Sequence, residues 1–264
     1  MTDLTPIFQA LIASSLIAAA AGLLGSFVLL RRLALMGDAL SHIALPGIAL
    51  GILFHFNLFL GSLVFLITGV LGIWLIEHKT KLSVDTLTGI FFTMALALGA
   101  LLTPEEELLE ALFGDITRIN SFDFWLASIF SLIILFALFA LSKKLTLTMI
   151  SPDLALSAGI KVHFLELAFL LIFGFIVAMG IKFTGALLMG SLVIIPAATA
   201  RNLSRSMKMF QLLSIIIGVA GAFFGIAAFY FYQLPVGPIF VLFATALFFL
   251  SIFLRKNRWA IPCG

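Results

Sequence analysis

Residues 4–30 read LTPIFQALIASSLIAAAAGLLGSFVLL, an apolar run without Asp, Glu, Lys or Arg. A helix needs about 20 mainly apolar residues to cross a hydrocarbon core of about 30 Å, so this run is long enough to span a membrane. A signal peptide would have a basic segment before a shorter apolar core, whereas here only Asp3 supplies a charge before the run. We therefore expect residues 4–30 to be retained as the first transmembrane helix.

The composition of the whole chain agrees with this interpretation. Of the 264 residues, 63% are hydrophobic and 10% charged, against about 45–50% and about 25% in soluble domains. Apolar runs between charged or turn-rich breaks predict nine segments, near residues 4–30, 37–55, 58–76, 85–103, 122–142, 163–180, 183–200, 209–231 and 236–254. The sequence thus predicts an all-α polytopic membrane bundle in a lipid bilayer, organised as one domain over residues 1–264.

Some other classes of function are disfavoured. The single cysteine, Cys263, excludes an internal disulfide and a cysteine-based zinc site. The chain has neither a GxxxxGK[ST] nucleotide loop nor an HExxH motif. The net charge of +3 lies in the loops and indicates membrane orientation rather than nucleic-acid binding.

The basic residues indicate how the chain is oriented, because Lys and Arg accumulate in short cytoplasmic loops. Nine spans place thirteen of the 15 basic residues on one side: Arg31, Arg32, Lys79, Lys81, Lys143, Lys144, Lys161, Arg201, Arg205, Lys208, Arg255, Lys256 and Arg258. The other side holds Arg118 and Lys182, together with the acidic run Glu105–Glu110. We therefore expect the N-terminus outside and the C-terminus in the cytoplasm.

Two of the nine segments contain helix-breaking residues. In the second segment these are Gly37, Pro46 and Gly47, and in the seventh they are Gly185, Gly190 and Pro196. Broken helices at membrane depth occur mainly where they line a cavity or are buried in protein. Gly37, Pro46, Gly47 and Pro196 are therefore candidates for helix breaks or gating. The small-xxx-small patterns GIALG (47–51) and GAFFG (221–225) predict close helix packing.

The second segment also carries Asp38 and His42, four residues apart. On a helix they share one face, close enough to coordinate one ion or to bond each other. An ionisable residue within a membrane span suggests function, and imidazole with carboxylate suits a transition metal such as Zn²⁺. Alternatively, Asp38 pairs with Arg31 or Arg32 at the interface while His42 bonds a neighbouring helix, and the spacing leaves both interpretations open.

Other polar residues give weaker signals. His163 and Glu166 could ligate a metal, but an interfacial pair beside Lys161 is favoured. His55 and His78 are assigned to loops. The acidic run Glu105–Glu110 is explained equally well by cation attraction at the outer mouth and by a solvated turn.

A patterned segment separates the fifth and sixth spans. Pro152 and Asp153 predict a helix start and Gly159 its stop, which gives one short helix within about residues 151–160. Such a helix on the cytoplasmic face is either a docking element or an anchor for the bundle.

Several motifs, in this order along the chain, resemble those of the membrane permease subunits of ABC importers for zinc, manganese and iron. They are GDALSHIALPGIALG, SVDTLTGI, LFGDI, TMISPDLALSAGIKV, KFTGALLMGSLVIIPAATARNLSRS and FYQLPVGPIFVLFATALFFL. The likeness is greatest to the bacterial high-affinity zinc uptake permeases of the ZnuB type.

This resemblance implies a homodimeric permease in the bacterial cytoplasmic membrane that is not itself an enzyme. A separate ATPase subunit would hydrolyse ATP, and an extracytoplasmic metal-binding protein would deliver the ion. Asp38 and His42 would bind transported Zn²⁺, with Mn²⁺ or Fe²⁺ as alternatives, and no cofactor would be bound permanently. The implied contacts with the ATPase are Pro152, Asp153, Leu154, Ala155 and Gly159.

Two rival functions use the same residue pair. In a proton-coupled secondary carrier, Asp38 and His42 would relay protons. In an intramembrane enzyme they would act as metal ligands or as an acid/base pair, but Ser41 is the only other reactive side chain in that motif.

Overall fold

The computed structural model describes residues 4–80, 82–102, 121–186 and 188–256. The acidic run Glu105–Glu110 and Cys263 lie outside these ranges. All regular secondary structure within them is helical, which confirms the predicted all-α bundle. The helices are α1 (Leu4–Leu30), α2 (Ala34–Ile43), α3 (Leu45–Leu53), α4 (Leu58–Thr80), α5 (Val84–Leu102), α6 (Ser121–Ile150), α7 (Pro152–Ser157), α8 (Val162–Thr184), α9 (Met189–Leu203), α10 (Met207–Tyr232) and α11 (Val236–Lys256).

Eight segments of the described residues are long and apolar enough to cross a membrane: α1, the α2–α3 pair, α4, α5, α6, α8, α10 and α11. The predicted seventh segment, 183–200, differs from this pattern. Gly185 adopts a φ of 80° at the end of α8, and α9 begins only at Met189. With 15 residues, α9 is about 22 Å long at about 1.5 Å per residue, which is shorter than the hydrocarbon core.

The first two spans form the interior of the bundle. In both α1 and α2–α3, 78% of the most apolar 18-residue stretch is buried, whereas the value is 22–39% in α4, α5, α6, α10 and α11. Helix α1 packs against α6, α9 and α10, and α2 lies between α5 and α9. Leu23, Leu24 and Phe27 of α1 are fully buried. The broken second span is therefore enclosed by protein, as expected for irregular backbone at membrane depth.

The break between α2 and α3 falls at Ala44, two residues before Pro46. Pro46 has no N–H, so the carbonyl of His42 loses its usual helical donor. Just beyond the break, a Cβ added to Gly47 would lie 2.2 Å from the carbonyl oxygen of Gly61 in α4. Only glycine allows the two backbones to approach so closely, which confirms the predicted packing role of the GIALG motif.

The two ends of the bundle carry different ion pairs. Arg31, after α1, pairs with Glu166 in the first turns of α8. Lys182, in the last turn of α8, pairs with Asp123 at the start of α6, with 2.5 Å between Nζ and Oδ2. We call the end that contains Arg31 and α7 the basic end.

Candidate functional site

Asp38 and His42 lie one helical turn apart in α2, and their side chains face each other. The distance from His42 Nε2 to Asp38 Oδ1 is 4.0 Å. The Asp38 side chain is 51% exposed and that of His42 is 10% exposed. One partner is therefore held rigidly in the interior while the other remains open to an arriving ion.

The His42 ring leaves one polar atom unsatisfied. The His42 ring packs edge to face against the Phe92 ring of α5, with the two ring centroids 5.2 Å apart. Among the described residues, His42 Nδ1 is buried without a hydrogen-bond partner, and so is Thr88 Oγ1, which lies one turn from Phe92. Buried polar atoms are normally satisfied by protein, water or an ion, so these two atoms form a polar spot in the contact between α2 and α5.

The alternative in which Asp38 pairs with an interfacial arginine is not what the structure shows. The guanidinium of Arg31 bonds Glu166 instead. In the described part of the chain, the only ion pair of Asp38 is with His42, and no pair joins it to Arg32. The Asp38 carboxylate is therefore free of arginine and can face an ion.

Helix α9 begins directly beside Asp38. A Cβ added to Gly190, in the first turn of α9, would lie 2.8 Å from the Asp38 backbone nitrogen and 2.9 Å from its Cα. Gly37 faces the same crossing, since its added Cβ would be 3.4 Å from the Gly190 Cα. The N-terminus of a helix carries partial positive charge and interacts favourably with a carboxylate. The two predicted segments that contain helix-breaking residues thus meet at Asp38, the predicted metal ligand.

This arrangement suits transient binding of a transition metal. Nε2 and Oδ1 are 4.0 Å apart, whereas tetrahedral zinc with bonds of about 2.0–2.2 Å separates its ligand atoms by about 3.4 Å. A small rotation of the half-exposed Asp38 side chain closes this difference. Two ligands from one chain give weak binding, and a transported ion must leave as well as enter. The Ser41 hydroxyl donates its proton to the Asp38 carbonyl at 2.6 Å within α2.

The short helix predicted near residues 151–160 is present as α7. The Ser151 side chain accepts a bond from the Leu154 N–H, and Pro152 occupies the first turn beside Asp153. Gly159 ends the helix with a φ of 75°, a conformation that favours glycine. Leu154 and Asp153 are exposed, whereas Ala155 is fully buried. Ala155 therefore anchors α7 to the bundle and does not present a surface to a partner.

The remaining candidate residues have simple positions. Pro196 is buried within α9 and Gly37 lies inside α2, and both helices continue through these residues. The prediction that Pro196 and Gly37 break their helices was therefore wrong. His55 lies in the turn between α3 and α4, as predicted.

The loop assignment of His78 was wrong. His78 lies in the last turn of α4, where its Nε2 is 2.7 Å from His163 Nδ1. The two histidines are 85 residues apart in sequence, so no local pattern could have paired them.

Comparison with known proteins supports the assignment of the fold. The chain matches the ABC 3 transport family over residues 3–255. It is 35% identical to the high-affinity zinc uptake system membrane protein ZnuB of Haemophilus influenzae, over 95% of this chain and 98% of that protein. It is 32% identical to the manganese transport system membrane protein MntC of Listeria monocytogenes, over 95% of this chain and 91% of that protein.

A solved structure agrees. PsaBC from Streptococcus pneumoniae, in complex with Fab, superposes with a TM-score of 0.83 at 30% identity, over 95% of this chain and 92% of that one. The sequence motifs, the helical bundle with its buried broken span, and these relatives lead to one conclusion: the chain is a multi-pass membrane permease that belongs to the ABC 3 transport family.

Proposed function

We propose that this chain is the permease of an ATP-driven importer that moves a divalent transition metal, preferably Zn²⁺, into the cytoplasm. The observation that carries the proposal is the Asp38–His42 pair, held 4.0 Å apart in an enclosed broken helix and free of arginine. The named functions of ZnuB and MntC, which concern zinc and manganese, support a metal as cargo.

Ligand chemistry favours zinc over the alternatives Mn²⁺ and Fe²⁺. Neutral imidazole is a preferred ligand for zinc, whereas carboxylate, carbonyl and water oxygens are the ligands that suit Mn²⁺. The relative named for zinc and the relative named for manganese both match this chain almost throughout, so similarity does not choose between the two metals. We therefore base the preference for zinc on the imidazole of His42.

The charge distribution supports an orientation and a location. In our proposal the basic end faces the cytoplasm, as Lys and Arg do in short loops, and the membrane is the bacterial cytoplasmic membrane. With the short helix α9 as a ninth crossing between α8 and α10, the N-terminus is then outside and the C-terminus inside. An extracytoplasmic metal-binding protein delivers the ion to the opposite end, and a second copy of the permease completes a homodimer.

Helix α7 supplies the proposed docking point for the ATPase subunit. Leu154 is 59% exposed and Leu156 57% exposed, although α7 is too short and too polar at Asp153 to belong to a span. These exposed apolar side chains are available for contact with a partner protein. Pro152, Asp153, Leu154 and Gly159 therefore form or shape the contact, and Ala155 holds the helix in place.

The coupling role predicts that Gly159→Pro abolishes transport-linked ATP hydrolysis. Proline cannot adopt the φ of 75° found at Gly159, and it removes the N–H that donates to the Leu156 carbonyl at 2.9 Å. The matched control is Gly159→Asn, because asparagine tolerates positive φ. We expect metal-stimulated ATP hydrolysis by the reconstituted complex to fall at least tenfold in the proline variant and less than twofold in the control. Equal stimulation in both would refute the docking assignment.

The importer itself is tested in vesicles that contain the permease with its ATPase, with radioactive zinc outside and the metal-binding protein supplied. We expect uptake that requires ATP and that excess Mn²⁺ inhibits only weakly. Vesicles with the permease alone should remain inactive under a proton gradient. Proton-driven uptake by the permease alone would instead identify a secondary carrier, and strong inhibition by Mn²⁺ would identify manganese as the cargo.

A further inference from the structure

A second group of metal-ligating side chains lies at the basic end, where the end of α4 meets the beginning of α8. His78 contributes Nε2, and His163 and Glu166 contribute Nδ1 and a carboxylate oxygen; these atoms all lie within 4.8 Å of one another. We propose that His78, His163 and Glu166 form a binding site for a divalent transition metal such as Zn²⁺, separate from the Asp38–His42 pair. Two imidazoles and one glutamate are a ligand set that zinc uses in proteins.

The orientation of His78 supports this site. Its Nδ1 is 2.8 Å from the carbonyl oxygen of Trp74, one turn earlier in α4. A carbonyl only accepts hydrogen bonds, so His78 Nδ1 carries the proton and Nε2 presents a lone pair towards His163. Metal-binding histidines almost always donate their other N–H in this way.

Glu166 is also held in place by a neighbour. Arg31 binds its Oε1, while Oε2 lies 4.0 Å from His163 Nδ1. The guanidinium thus orients the carboxylate and leaves the second oxygen directed to the histidines. Interactions of this kind fix the ligands of metal sites and raise their affinity.

A second carboxylate lies close to the site. Glu77, beside His78 in sequence, interacts electrostatically with Glu166 and Arg31 as well as with both histidines. The His163 side chain is 69% exposed, so an ion can reach the site from water.

The metal-free geometry requires only a small adjustment. His163 Nδ1 and His78 Nε2 are 2.7 Å apart, so His163 Nδ1–H donates a hydrogen bond to His78 Nε2. Two zinc–nitrogen bonds of about 2.0–2.1 Å at a tetrahedral angle separate the nitrogens by about 3.3 Å. Rotation of the exposed His163 ring supplies this movement. With its proton moved to the exposed Nε2, His163 presents the Nδ1 lone pair to the metal, which then links α4 to α8.

The experiment uses the purified full-length permease without its ATPase, in the background Asp38→Ala/His42→Ala, which removes the transport pair. Co²⁺ is the probe, because nitrogen and oxygen ligands around cobalt give visible absorption bands, and Zn²⁺ is then added as a competitor. We expect one Co²⁺ per chain, displaced by Zn²⁺. Adding His78→Ala and His163→Ala should abolish the bands, and His163→Gln alone should weaken binding at least tenfold. Because His163 is exposed, the single variant His163→Gln should fold normally. It therefore tests the site even if the double variant misfolds.

The control is His55→Asn, which removes an exposed histidine elsewhere and keeps a residue that tolerates the φ of 54° at that position. It should bind Co²⁺ like the background protein. Unchanged affinity in His163→Gln and in the double variant, or no Co²⁺ bound by the background protein, would overturn the proposal. Because no ATP or transport is involved, this result is independent of the proposed import function.

Discussion

Replacement of Asp38 by Asn, or of His42 by Gln, is expected to lower ATP-dependent metal uptake about 100-fold or more while the complex still assembles. Asparagine keeps the shape of aspartate but has no charge, and glutamine keeps a polar group but has no imidazole nitrogen. Loss of groups that merely support metal ligands costs about 10–100-fold in affinity or activity, so loss of a ligand should cost at least as much. Initial uptake rates, normalised to the amount of assembled complex, measure the effect.

Ser41→Ala is the matched control for these two variants. Ser41 lies between the ligands in α2 and is fully buried, but its hydroxyl is engaged by the Asp38 carbonyl within the helix. We expect uptake within twofold of the unmodified protein. A large loss in Ser41→Ala would instead favour the intramembrane enzyme, which needs a nucleophile there.

The outcome also separates a ligand role from a purely structural ion pair. If the Asp38–His42 contact only stabilised the fold, both variants would unfold at lower temperature and the surviving complex would transport normally. Normal metal uptake by an assembled complex that carries Asp38→Asn would therefore contradict the assignment of Asp38 as a metal ligand.

Features that depend on neighbouring residues were predictable from the sequence. The apolar run 4–30 coincides with α1, because burial in lipid requires a continuous apolar helix. Pro46 and Gly159 mark a helix break and a helix end as expected, since each acts through its own backbone. The spacing of Asp38 and His42 placed them on one face for the same local reason.

The ends of some helices were predicted too early, for a physical reason. Predicted spans ended near residues 76 and 142, but α4 continues to Thr80 and α6 to Ile150. Hydropathy marks where a helix leaves the hydrocarbon, whereas hydrogen bonding continues into water. For this reason His78 was assigned to a loop, although it lies in the last turn of α4.

Contacts between distant residues were not predictable from one sequence. Arg31 and Glu166 are 135 residues apart, and His78 and His163 are 85 apart. Which helices become neighbours depends on the summed packing of all faces, and hydropathy does not encode that order. The pairing of Arg31 with Glu166 matters most, because it removes Arg31 as the interfacial partner of Asp38 that spacing had left open.

The crossing of α2 and α9 gives the second large prediction: Gly190→Ala should reduce metal uptake at least tenfold. The added methyl group would lie 2.8 Å from the Asp38 backbone nitrogen and 3.1 Å from its Cβ. Contacts this short with backbone atoms force the two helices apart, at a cost of about 1–3 kcal/mol for overpacking. The shift falls on Asp38 itself, so metal binding should suffer more than folding.

Alanine substitutions at two other glycines should reduce metal uptake less than Gly190→Ala does. Gly37→Ala, on the facing helix, would place its methyl group 3.4 Å from the Gly190 Cα and from the Phe173 ring, which is close to ordinary contact, and its uptake should fall less than threefold. Gly89 in α5 has no atom within 4 Å of an added Cβ, so Gly89→Ala should leave uptake unchanged and raise stability slightly through its higher helix propensity. Uptake and unfolding temperature of the three variants, measured side by side, test the order. Equal uptake in Gly190→Ala and Gly89→Ala would show that the position of Asp38 against α9 is not critical for transport.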